Sequence, residues 1–82
     1  MRLLIIPGPV DKVHLPTCGH TRRAVEAGRT RRVQGKRADA LLHDLGSIDN
    51  GTDLLASDGG QYPSGYLRGC LVCKPWEANG DG

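Results

Sequence analysis

Gly69-Cys70-Leu71-Val72-Cys73-Lys74-Pro75 is the part of the chain from which the rest is best read. A Cys-x2-Cys turn lets two thiolates converge on one ion about 2.3 Å away, with the intervening amides pointing towards the sulfurs. A second donor pair, His14-x3-Cys18, lies far upstream. Together the four groups complete a tetrahedron and close a long loop. Three thiolates and one imidazole form a soft donor set that selects zinc over magnesium or calcium. The expected metal ligands are therefore His14, Cys18, Cys70 and Cys73, with Zn2+ as the cofactor. His20, two residues after Cys18, is the alternative imidazole, whereas His43 reads as a surface residue. Two other readings of the thiols stay open: a redox pair at Cys70 and Cys73, and unligated cysteines acting as small buried hydrophobes.

The composition explains why such a chain would need a staple. It has 82 residues, no Phe, one Trp, two Tyr and 12 Gly. A domain of this size buries only about 60% of its unfolded surface, so apolar burial alone is marginal. Disulfides, a metal or oligomerisation are the usual supplements. Three cysteines cannot all pair within one chain, which argues against a disulfide framework and for a reducing, cytoplasmic setting. No apolar run approaches the roughly 20 residues of a membrane helix. Residues 1–6 are too short for the apolar region of a signal peptide. The Arg, Gly and Ala content suggests a GC-rich bacterial or phage genome.

Outward from the two donor pairs the chain punctuates itself. Arg2–Ile6 and Val10–Leu15 read as two short strands, with Pro7-Gly8-Pro9 as the turn between them. Thr21 is placed to cap a helical turn over Arg22–Ala27 that Gly28 stops. Arg29–Val33 fits strand or loop. In Arg37–Leu45 the residues Ala38, Leu41, Leu42 and Leu45 fall at i, i+3, i+4 and i+7, one face of a helix, with Gly46 as a left-handed stop. A strand-like or helical piece is expected around Leu54-Leu55, and turns at Asp58-Gly59-Gly60 and Pro63-Ser64-Gly65. Pro75 suits the first residue of a terminal helical turn, and Trp76 the role of a lid over the metal. The expected architecture is α+β, a small zinc-stabilised domain with a short antiparallel sheet and one or two helices. It spans residues 1–77 and leaves 78–82 as a disordered tail.

The segment Lys12-Val13-His14-Leu15-Pro16-Thr17-Cys18-Gly19-His20 resembles the opening of Ada-like metal-binding domains, and Gly65-Tyr66-Leu67-Arg68-Gly69-Cys70-Leu71-Val72-Cys73-Lys74-Pro75 resembles their closing. The resemblance covers about 20 residues at the two ends and implies a small zinc-bound α+β domain held by His14, Cys18, Cys70 and Cys73. It is also similar to small His-x3-Cys zinc proteins of actinobacterial phages. Members that repair methylated DNA backbone accept a methyl group on a zinc-bound cysteine and carry four cysteines. Here His14 takes the first ligand position. A neutral imidazole removes one negative charge from the cluster and makes the remaining thiolates less nucleophilic.

The net charge of +2 conceals a division. Residues 12–37 carry eight cations against Glu26 alone, a net of +7, while residues 38–82 sum to −5. Arg22, Arg23, Arg29, Arg31, Arg32, Lys36 and Arg37 crowd one stretch of 16 residues. Guanidinium groups bind phosphate bidentately, and each neutralised phosphate releases counterions. No aromatic residue lies between Met1 and Gly60, so base stacking is unsupported. Asp49-Asn50-Gly51-Thr52-Asp53 lacks the later Glu of a calcium loop and reads as a turn. The expectation is a small cytoplasmic zinc-finger-like protein without catalytic machinery, a nucleic-acid-binding or regulatory protein of phage type that contacts phosphates through residues 22–37. Two competing readings are an adaptor or inhibitor of an acidic host protein and a zinc-thiolate methyl acceptor. In the bland reading the arginines are solvated or pair with the acidic half.

Overall fold

A computed structural model describes residues 2–49, 53–56 and 65–77. The strand β1 (Arg2–Ile6) pairs antiparallel with β2 (Asp11–His14), Ile5 opposite Val13. On its other side β1 pairs antiparallel with β3 (Arg31–Gln34), Leu3 opposite Val33. Two further strands, β4 (Leu55–Ala56) and β5 (Tyr66–Gly69), complete a five-stranded sheet in the order β3-β1-β2-β5-β4. The helix α1 (Arg22–Glu26) lies between β2 and β3, and α2 (Lys36–Ser47) between β3 and β4. The fold is α+β, as the sequence suggests. Its sheet is mixed, because β2 and β5 run parallel while the other pairings are antiparallel. The tail at 78–82 and the turn at Asp58-Gly59-Gly60 lie outside the described residues, as does most of the turn at Pro63-Ser64-Gly65.

Alternation along the strands sorts side chains onto two faces. Leu3, Ile5, Val13 and Leu67 pack in one apolar cluster with Ala38, Leu41, Leu42 and Leu45 of α2. The helical stripe read from the sequence is therefore the stripe that is buried. Each fully buried Leu contributes about 1.5–3 kcal/mol relative to exposure. The opposite face carries Leu4 and His14, which are opposite each other in the register and both buried, yet outside that cluster.

Two local expectations are corrected. Gly46 does not stop α2: the helix runs on to Ser47, and the left-handed residue beyond it is Asp49, with φ 46°. A Cβ on Gly46 would stand 4.0 Å from the Trp76 Cβ. Thr21 precedes α1 but makes no side-chain capping bond. Its hydroxyl instead donates to the Cys18 carbonyl at 2.7 Å. Gly28 does end α1, with φ 68°, a conformation that costs other residues strain.

Candidate metal centre

The register of the one parallel pair builds the site. Lys12 lies beside Arg68 and Val13 beside Gly69. The next residue on each strand is then His14 and Cys70, at the same end of the sheet. The Cys70 amide donates to the Val13 carbonyl at 2.9 Å, so the pairing continues to the donor atoms themselves. Beyond His14 the chain turns back, with the Cys18 amide bonded to the Leu15 carbonyl at 3.0 Å. The Thr21 amide and hydroxyl both hold the Cys18 carbonyl. Beyond Cys70 the chain closes a knuckle in which the Lys74 amide bonds to the Cys70 carbonyl at 2.9 Å. Lys74 holds a positive φ of 45° there, and Pro75–Glu77 then form a single 3-10 turn.

These turns bring one donor atom each from His14, Cys18, Cys70 and Cys73 to within 4.8 Å of one another. A tetrahedron with Zn–S bonds of about 2.3 Å has edges near 3.8 Å, so the set closes on an ion through displacements of about 1 Å. The cluster can hold a metal ion, and the donor chemistry fits zinc. The imidazole expected from the sequence is the one in place: His14 is 4% exposed, whereas His20 and His43 are exposed and outside the cluster.

The electrostatics point the same way. His14 Nδ1 is buried without a hydrogen-bond partner, a costly state that a ligand bond would relieve. Burial, followed by the charges of Lys12 and His20, lowers the His14 pKa and favours the neutral, ligating imidazole. Burial alone would raise the Cys70 thiol. Amide donors from Cys73 and Val72, with thiol donors from Cys73 and Cys18, outweigh burial and bring it below its ordinary value. Cys73 is pushed up to about 12 by burial and by its thiol neighbours, against the pull of the Leu15 amide. That amide donates to Cys73 Sγ at 3.4 Å. Three thiols so close cannot all ionise without a cation among them, and a divalent metal is the species that ionises such a set.

Trp76, expected as a lid over this site, belongs to the apolar cluster around α2. The seven cations of residues 22–37 are all exposed but do not form one flat patch. Arg22 and Arg23 are on α1, and Arg22 pairs with Glu26 at 3.6 Å. Arg29 lies in the following loop, and Lys36 and Arg37 open α2. Arg31 stands opposite Ile5 and Arg32 opposite Leu4. They therefore project to different faces of the sheet's edge strand. Sequence reasoning passed over Arg68, which sits in the acidic half of the chain. Only the parallel register places it beside Lys12. Among the described residues, no helix is long and apolar enough to cross a membrane. Comparison with family models, curated proteins and solved structures finds no match for this chain.

Proposed function

We propose that this chain is a zinc-stapled domain, without catalytic machinery, that docks on the phosphate backbone of nucleic acid through the cations of residues 22–37. The observation that carries the zinc half is the convergence of His14, Cys18, Cys70 and Cys73 within 4.8 Å. The resemblance of both donor segments to Ada-like domains supports it. The ion would add a common tie between the end of β2, the crossover towards β3 and the knuckle after β5, beyond the backbone pairing of β2 with β5. With His14 as a neutral donor, a bound Zn2+ and three thiolates sum to −1 rather than −2. That charge favours a structural role over methyl acceptance.

The nucleic-acid half is supported by the exposure of all seven cations and by the placement of three of them. Lys36 and Arg37 occupy the first turn of α2, where a cation opposes the helix dipole by about 0.3–1 kcal/mol. Arg32 lies on an edge strand, open to a passing backbone. Such binding is electrostatic and weakly selective for sequence. Fluorescence anisotropy with a labelled duplex tests it. Affinity should fall steeply as salt rises, and Arg29→Ala with Arg32→Ala should weaken binding to every sequence. Absent or salt-independent binding by a zinc-loaded chain overturns this half. A stoichiometric complex with an acidic protein in its place would establish the adaptor reading. A gain of one methyl after incubation with methylated DNA would establish the acceptor reading.

A further inference from the structure

Beside the metal cluster lies a cleft of about 480 Å³, walled by the β1–β2 turn on one side and the Cys70–Cys73 knuckle on the other. We propose that it binds a small amphipathic oxyanion, a phosphate monoester or carboxylate bearing an apolar group, through Lys12 and Arg68. The volume falls in the range of small-molecule sites.

The charges argue for an anion. Lys12 and Arg68 are neighbours in the parallel register, line the same cleft, and are joined there by exposed His20. No carboxylate is among the described lining residues. Asp11, the nearest acid in sequence, is fully buried and accepts a bond from the Gly8 amide. Arg68 Nε is buried and has no hydrogen-bond partner. An oxyanion between the two cations would accept from the ammonium and the guanidinium, and guanidinium groups favour such planar, paired contacts.

The walls argue for an apolar body. Pro7, Pro9, Leu71 and Val72 line the remaining surface. Leu71 and Val72 are 55% and 67% exposed, so the knuckle presents its two apolar side chains to solvent at the rim. A bound apolar group would cover them. This ligand is distinct from the backbone proposed for residues 22–37. The cleft shares His14 and Cys70 with the metal centre, so the test includes metal content.

The experiment is calorimetric titration of the zinc-loaded chain with phenyl phosphate, phenylacetate, inorganic phosphate and a short DNA duplex, with zinc content and circular dichroism recorded for every variant. Saturable binding of phenyl phosphate or phenylacetate is expected, about tenfold tighter than inorganic phosphate. Arg68→Gln and Lys12→Gln should each weaken it about tenfold at unchanged metal content. Leu71→Ser with Val72→Ser should remove the advantage of the phenyl group. If Arg68→Gln loses metal, exposed Lys12→Gln decides. Failure of both organic anions to saturate, or equal affinity in the Lys12 and Arg68 variants, overturns the proposal. Arg68-dependent binding of the duplex alone would assign the cleft to nucleic acid and overturn it too. Binding of phenyl phosphate to a chain that takes up no zinc would sink the metal reading and leave the cleft standing.

Discussion

The two faces of the sheet are stabilised by different physics. On one, Leu3, Ile5, Val13 and Leu67 meet the α2 stripe, and the stabilising quantity is apolar area removed from water. On the other, Leu4, His14, Cys18 and Cys70 are buried with an unpartnered imidazole nitrogen and closely packed thiols, and little apolar area is gained. The first face is an ordinary small core, marginal by itself in a domain of this size. The second is costly to bury without a cation and cohesive with one. A metal bound there would share the stabilisation with a modest core, as so short a chain, with 12 glycines and no Phe, requires to keep its sheet aligned.

Breaking the metal face should have the larger effect. Cys70→Ser or Cys73→Ser should unfold the chain at room temperature, since a structural zinc contributes about 10–16 kcal/mol of apparent binding energy. Retention of the native circular dichroism spectrum in either variant would contradict the division. On the helix face, Leu45→Ala removes a fully buried side chain and should cost about 2–5 kcal/mol while leaving one zinc bound. Denaturant titration with metal analysis separates the two classes of variant.

Acid should act on the metal face. Burial and the nearby charges of Lys12 and His20 hold the His14 pKa below its ordinary 6.5. Between that lowered value and 6.5 the unfolded chain binds a proton that the native chain refuses. Stability therefore rises with pH through this window and falls on acidification. Protons also compete with zinc for the thiolates. Zinc held at pH 7 should be released as pH falls below about 6, followed with a chromogenic indicator. Undiminished retention in stronger acid would show that the imidazole is not a ligand.

The smallest effects sharpen the boundaries. Thr21→Val removes the hydroxyl that holds the Cys18 carbonyl and should cost about 1 kcal/mol. Gly46→Ala should stabilise by about 0.5 kcal/mol, because Gly46 lies inside α2 and a methyl group meets only ordinary contact with Trp76. Destabilisation would restore Gly46 as the left-handed end of the helix.

The helix face was legible because periodicity is a local signal: Ala38, Leu41, Leu42 and Leu45 lie within one helix and their spacing alone marks the buried side. The donor set was legible for a chemical reason, since two pairs of soft ligands have few other uses in a chain this short. The means of bringing them together was not. Parallel pairing of β2 with β5 is a contact between distant residues that no local pattern encodes. The same register hid the partnership of Lys12 and Arg68, whose charges belong to opposite halves of the chain. Trp76 and Gly46 were misread together. The ring packs in the α2 cluster, and the glycine lies inside a helix that runs on to Ser47.

Native mass spectrometry before and after chelation, with circular dichroism on the same samples, tests the central claim most directly. One zinc per chain, whose removal abolishes the folded spectrum and whose return restores it, is the predicted result. A folded chain that carries no metal, or keeps its spectrum when the metal is removed, would contradict it.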